Sequence, residues 1–192
     1  MDDLFPRKEG VDLTQLQTTP EGLYSITRRR DALRILGVMR SMLPTMHLTI
    51  TDATACIGGD TLNFALHFSH VQSVEQNADN FQALANNVNV YGFTNVTLHH
   101  ADVTTCFDWK TDVLYVDPPW GGKDYKQHTD LDVWLGEIRL DHWLAILFEQ
   151  TRAPPYIFLK LPTNYAFHRL ASLPATIKQH PIRSYVLVSI LM

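Results

Sequence analysis

The chain is poor in cysteine, in charge and in long apolar runs. Cys56 and Cys106 are the only cysteines among 192 residues, and neither stands in a metal-type spacing. No apolar run approaches the roughly 20 residues that a membrane span needs. The first ten residues, MDDLFPRKEG, are acidic and lack the apolar core of a signal peptide. These absences make an intracellular protein the expectation, without separating nucleus from cytoplasm. Charged residues make up only 19% and the formal net charge is −4. A nucleic acid must then be held by a local basic patch, because the field of the whole molecule does not favour it. No internal repeat, low-complexity segment or full G-x-G-x-x-G is present. The last absence argues against a dinucleotide, whose pyrophosphate wants that glycine pattern. The nine histidines are scattered, and no metal is expected.

What is present suits a single domain with a sizeable core. Residues 1 to about 22 are polar and weakly patterned and read as a mobile arm or a lid. The stretch ITRRRDALRILGVMRSML (26–43) places Leu33, Leu36, Val38, Met39 and Leu43 at approximate helical spacing. Arg28, Arg29, Arg30, Arg34 and Arg40 then share the other side, either as a solvated face or as a phosphate-facing patch. We divide the chain into an N-terminal arm and helix (1–45) and a catalytic domain (46–192). The short N-terminus suggests a minimal catalytic domain with no appended targeting region. From His47 strands alternate with helices. LTITDAT, VQSVE, VTLHHAD, DVLYVD and YIFLKLP read as strands, and ATIKQH with SYVLVSIL as a closing hairpin. GDTLNFALHFS reads as a helix with Asp60 at its N-cap. ADNFQALANNVNVYG reads as a helix with Phe81, Leu84, Ala85, Val88 and Tyr91 inward and Gly92 as its stop. DHWLAILFEQ is a further helix. Such alternation implies a mostly parallel sheet, with the ligand crevice at the carboxyl ends of its strands.

Each of the first four strands ends in an acid: Asp52, Glu75, Asp102 and Asp117. One such acid is commonly a cap or turn residue; four in succession point to a site. An acid after the second strand, beyond a strand–glycine turn–helix unit, can accept both hydroxyls of a ribose, and Glu75 holds that place. In TACIGGD, Gly58 and Gly59 let the backbone pass close to a ligand. A nucleoside-like cofactor without phosphates fits this turn, and Asp102 is placed to accept an adenine amine.

The series Asp52, Gly58-Gly59, Glu75, Asp102 and Asp117-Pro118-Pro119-Trp120 resembles the class I S-adenosylmethionine-dependent methyltransferases. Their fold is α/β and Rossmann-like. It has a mostly parallel seven-stranded sheet with helices on both faces, here preceded by a short helical extension. D-P-P-W resembles the motif of enzymes that methylate amino groups of bases. DPPWGGKDY, with EGLYSIT (21–27) before it and FLKLPTN (158–164) after it, is similar to the trimethylguanosine synthase family, which methylates N2 of 7-methylguanosine caps on RNA.

The resemblance implies S-adenosylmethionine bound by Thr27, Asp52, Ala53, Gly58, Gly59, Glu75, Gln76, Asp102, Val103 and Asp117. It implies a catalytic corner of Asp117, Pro118 and Trp120, with Trp120 stacked on the methylated guanine. Tyr24, Trp120, Lys123 and Asn164 would contact substrate. The partner would be capped RNA and the protein a monomer. Two departures stand out. The family usually has serine where Asp117 stands, and an arginine common after the last L-P is Thr163 here.

The chemistry agrees with the residue types. An exocyclic amine needs orientation more than a strong base, and a carboxylate or the Pro118 carbonyl can take its hydrogen. The prolines fix φ and remove donors. A cationic 7-methylguanine gains roughly 0.5–2 kcal/mol over a neutral base on an aromatic face. Lys123, Lys126 and Arg28–Arg30 could meet cap phosphates. Carbon-5 methylation would need a cysteine nucleophile after a proline, which is lacking. Ribose 2′-O methylation could use Lys160 but leaves the P-P-W corner without a role. A base-amine methyltransferase on ribosomal or transfer RNA guanine N2, or on adenine N6, stays open. So does a cap-binding module of this fold without catalysis.

Overall fold

The computed structural model describes residues 3–106, 110–150 and 153–192, without the side chains of Cys106 and Lys123. Two compact units divide after Val103.

In the N-terminal unit, residues 3–19 are packed and are not a loose arm. Phe5 is fully buried and Leu16 nearly so, in one apolar cluster with Ile57, Leu62, Leu84, Val88 and Tyr91. The Tyr91 hydroxyl donates to the Pro6 carbonyl at 2.5 Å. Sequence patterning missed this because the segment anchors through single apolar residues with no period. Helix α1 (Pro20–Ser25) starts at Thr19, whose hydroxyl accepts the Gly22 N–H, with Pro20 at the first helical position. Helix α2 (Arg29–Met42) buries Ala32, Ile35, Leu36 and Met39. Leu33, expected inside, is 52% exposed: the buried stripe runs through residues 32, 35, 36 and 39. Arg34 pairs with Asp31 at 2.7 Å, and Arg40 sits 3.0 Å from His67 Nδ1.

Strands β1 (Thr49–Asp52), β2 (His70–Glu75) and β3 (Val96–His100) are parallel, in the order β3-β2-β1. The two crossovers carry α3 (Gly59–Ala65) and α4 (Ala78–Val90). Strand β3 is half-exposed, as an edge strand tolerates. Asp60 does not cap α3. The cap is Gly58 at φ +96°, left-handed backbone that glycine enters without strain. Asn77 caps α4, and Gly92 at φ +61° follows its end. The buried face of α4 includes Asn80 and Asn87, while Phe81 is only partly buried and stacks on His100.

Between the strands of the two units lies α5 (Val103–Cys106), a single turn. The C-terminal unit contains β4 (Val113–Val116), a small hairpin of β5 (Trp134–Leu135) and β6 (Ile138–Arg139), α6 (Leu140–Glu149), β7 (Tyr156–Pro162), β8 (Thr176–Ile182) and β9 (Tyr185–Leu191). Here the order is β4-β7-β9-β8. The first pair is parallel and the other two are antiparallel. Strand β4 and most of β7 and β9 are fully buried, which explains their near-continuous apolar sequences. The predicted closing hairpin is β8–β9. The β5–β6 hairpin was not legible, because two-residue strands carry no period.

Candidate active site

The carboxyl ends of β1 and β2 and the first turn of α3 make one buried polar cluster. Thr61 donates to Asp52 Oδ2 at 2.6 Å and lies 2.9 Å from the Ser73 hydroxyl. The neighbouring Asp60 accepts from the Thr27 hydroxyl at 2.6 Å. Thr27, Asp52 and Asp60 are all buried. Two acids from different elements therefore meet one helix start, where partial positive charge favours them. Asp60 was read only as a cap. Its real task is to hold Thr27, and through it the segment after α1.

Glu75 receives two backbone N–H groups, from Cys56 at 2.8 Å and Asn77 at 2.7 Å, one on each oxygen. Each oxygen keeps capacity for a further hydrogen bond. Burial pushes its carboxyl above the usual range, against the lowering effect of those N–H groups. Cys56 holds a positive φ of 48° to present its N–H. Its thiol is pushed up to about 11, chiefly by burial, so it is a poor nucleophile at neutral pH. The two glycines face protein. A Cβ on Gly58 would come within 2.9 Å of Leu84, and one on Gly59 within 2.5 Å of Ile26. They let α4 and the segment after α1 approach the turn. Ala53 is buried beyond β1, Gln76 is exposed beyond β2, Asp102 is partly buried beyond β3, and Val103 is buried. Tyr24 on α1 is 57% exposed.

In the C-terminal unit the D-P-P-W corner leaves the end of β4. Pro118 is buried, Pro119 is exposed and Trp120 is partly buried. The indole N–H of Trp120 donates to the Lys160 carbonyl at 3.2 Å, and its ring meets Tyr125 edge-on at 5.3 Å. The plate is thus pinned at one edge and braced at another. Gly121 and Gly122 follow at φ +89° and +80°, which turn the chain sharply after the plate. Asp117 is not a lone acceptor. The Lys160 ammonium donates to its Oδ2 at 2.6 Å, with side-chain exposures of 7% and 16%. The same ammonium lies 5.6 Å from the Trp120 ring centre and 5.3 Å from that of Tyr185. The Asn164 NH2 donates to the Tyr125 and His128 carbonyls at 2.8 and 2.7 Å and ties down the loop that carries Tyr125. The side chain of Lys123 lies outside the described residues.

Residues 47–190 match the family model for RNA cap guanine-N2 methyltransferases. The chain belongs to that family. It is 34% identical over 124 residues to an uncharacterised protein of Acanthamoeba polyphaga mimivirus, covering 62% of this chain and 48% of that one. It is 28% identical over 159 residues to the trimethylguanosine synthase of Schizosaccharomyces pombe, covering 78% and 64%. The chain thus spans about half to two thirds of these relatives. Among solved structures, the 16S rRNA N2 G1207 methyltransferase of T. thermophilus, in complex with AdoMet and guanosine, superposes with a TM-score of 0.64 at 17% identity. That match covers 95% of this chain and 45% of that one. The fold is the class I methyltransferase fold, with a seven-stranded, mostly parallel sheet and helices.

Enzymes of this family and fold draw their methyl group from S-adenosylmethionine. The donor set of the N-terminal unit suits it. Asp52, Asp60, Glu75 and Thr27 carry oxygen acceptors suited to hydroxyl and ammonium groups. Among the described residues no cluster of three His, Cys, Asp or Glu has metal-binding geometry. Sequence reasoning weighed Lys160 only for ribose 2′-O methylation and did not join it to Asp117. The parallel pairing of Val116 with Leu159 puts Asp117 and Lys160 one step further along neighbouring strands. A lone lysine in an otherwise apolar strand was the available signal.

Proposed function

We propose that this protein is an S-adenosylmethionine-dependent methyltransferase that adds methyl to the exocyclic N2 of 7-methylguanosine in an RNA 5′ cap. The observation that carries the reading is Trp120. It is held by its own N–H and by Tyr125, immediately after two prolines, in a chain of the cap guanine-N2 family. A pinned indole suits stacking of a flat cationic base, since ordering cost is already met and the ring face supplies cation–π attraction. S-adenosylmethionine supplies the electrophilic methyl. The chain's own residues orient. With Asp117 engaged by Lys160, we assign the amine hydrogen to the Pro118 carbonyl. Proline cannot donate, and its fixed φ holds that carbonyl in place. An acceptor on the N–H aims the nitrogen lone pair at the methyl, and the remaining gain comes from alignment.

A second reading, N2 of an unmethylated guanine in structured RNA, draws support from Asp117, where cap enzymes usually have serine. Incubation with labelled S-adenosylmethionine separates the two. Label on m7GpppG-capped RNA, with inhibition by free 7-methylguanosine diphosphate, is the expected result. Label on uncapped RNA, insensitive to that inhibitor, would favour the second reading. No label on either, from protein that binds the cofactor, would remove the enzymatic reading. Trp120→Ala is expected to abolish cap turnover while cofactor binding survives; loss of cofactor binding would mark Trp120 as structural.

A further inference from the structure

We infer that the Asp117–Lys160 ion pair is a specificity device: it sets how strongly Trp120 prefers a cationic base to a neutral one. The inference rests on the reading of Trp120 as the stacking plate. Four observations place the pair. Lys160 is 6% exposed and projects from a buried strand. Its ammonium lies within cation–π range of the Trp120 ring at 5.6 Å. Its carbonyl, on the same residue, accepts the Trp120 N–H. Asp117, three residues before the plate, takes the ammonium at 2.6 Å.

A buried ammonium beside an indole repels a second cation brought to that ring, and it draws on the same π density. Uncompensated, it would oppose the cationic base that the plate is meant to hold. Asp117 is the compensation: at 2.6 Å its charge cancels most of the ammonium's field at the ring. The pair gives Asp117 a charged partner within this chain. The identity of residue 117 is tied to that of residue 160.

The two single substitutions then act in opposite directions. Asp117→Asn keeps size and an acceptor but removes the negative charge that offsets the ammonium beside the ring. Lys160→Met keeps the chain's bulk but removes the positive charge that offsets the carboxylate, which then attracts a cation. The measurement is binding of 7-methylguanosine diphosphate and of guanosine diphosphate, followed by tryptophan fluorescence at low salt. Their affinity ratio is the readout, and both ligands carry the same phosphates. Asp117→Asn is expected to lower the ratio roughly three- to tenfold, and Lys160→Met to raise it by a similar factor. The double variant is expected to return close to wild type. Lys160→Arg, which keeps the charge, is expected to hold the wild-type ratio. A pair that serves only to stabilise the fold would weaken both ligands alike and leave the ratio unmoved.

Single variants that leave the ratio unchanged, or shift it in the same direction, overturn the inference. Should one single variant fail to fold, the other and the double variant still read its sign. A wild-type protein with no preference for the methylated ligand overturns instead the reading of Trp120 on which this rests. Wild-type preference with silent variants overturns the ion-pair inference alone.

Discussion

Glu75 shows how a single residue couples folding to ligand chemistry. Its carboxyl is held above the usual range chiefly by burial. A folded-state value above the unfolded one means that the folded protein binds the proton more tightly. Stability from this residue therefore falls as pH rises from 4.5 through the raised value. We propose that Glu75 accepts the ribose hydroxyls of the cofactor; the ionised carboxylate is the stronger acceptor, so binding improves over the same window. Cofactor affinity is thus expected to weaken, as pH falls from neutral, before an ordinary carboxylate would titrate; calorimetric titration across that range measures it. Glu75→Gln should flatten the dependence and weaken binding roughly tenfold or more, because a charged acceptor is lost. It also sets an amide NH2 against the Cys56 or Asn77 N–H, which costs about 1–3 kcal/mol in unfolding experiments. A wild-type profile that stays flat would remove Glu75 from the cofactor site. The sequence placed Glu75 at its strand end without difficulty, because strands with an apolar run and a terminal acid are easy to bound. It hid Lys160, because only the pairing of β4 with β7 says which acid that lysine meets.

At the scale of elements, α4 is the clamp of the N-terminal unit. Asn87 is fully buried. Its NH2 donates to the Gln17 and Ile57 carbonyls at 2.9 Å each, and its Oδ1 accepts the Gln17 N–H at 2.8 Å. One turn pair earlier, Asn80 accepts from Thr19 and donates to Glu21. One helix face thereby fixes both the N-terminal segment and the glycine turn. Asn87→Ala removes these three bonds and the one that Asn86 donates to Oδ1. It is expected to cost about 2–4 kcal/mol in denaturant unfolding. Amide exchange at Gln17 should accelerate with it; continued protection of that amide would show that Phe5 and Leu16 anchor the segment alone. The strand–helix alternation was readable because burial imposes period 2, period 3.6 or a continuous apolar run. The packing of residues 5–19 was not, since its contacts are made by isolated apolar residues such as Phe5 and Leu16 and by buried asparagines, which patterning counts as polar.

At the scale of the whole molecule, on the proposed reading, charge decides how RNA beyond the cap is held. The formal net charge is −4, so the overall field opposes a polyanion. Arg34 has an acidic partner. Arg28 and Arg30 in the N-terminal unit and Lys126 in the C-terminal unit are exposed. If these supply about three phosphate contacts, the log–log salt slope for a capped single strand is about −2, or roughly twentyfold between about 50 and about 200 mM salt. Free 7-methylguanosine diphosphate, held by stacking and at most two phosphates, should change less. Titrating both ligands over that range measures the difference. Substituting Arg28 and Arg30 by glutamine should bring the capped strand's slope toward that of the nucleotide and leave nucleotide affinity nearly unchanged. A much steeper wild-type slope would mean that the RNA body is gripped along a longer basic path. Recognition would then belong to the strand as much as to the cap, which is the behaviour of an enzyme for structured RNA.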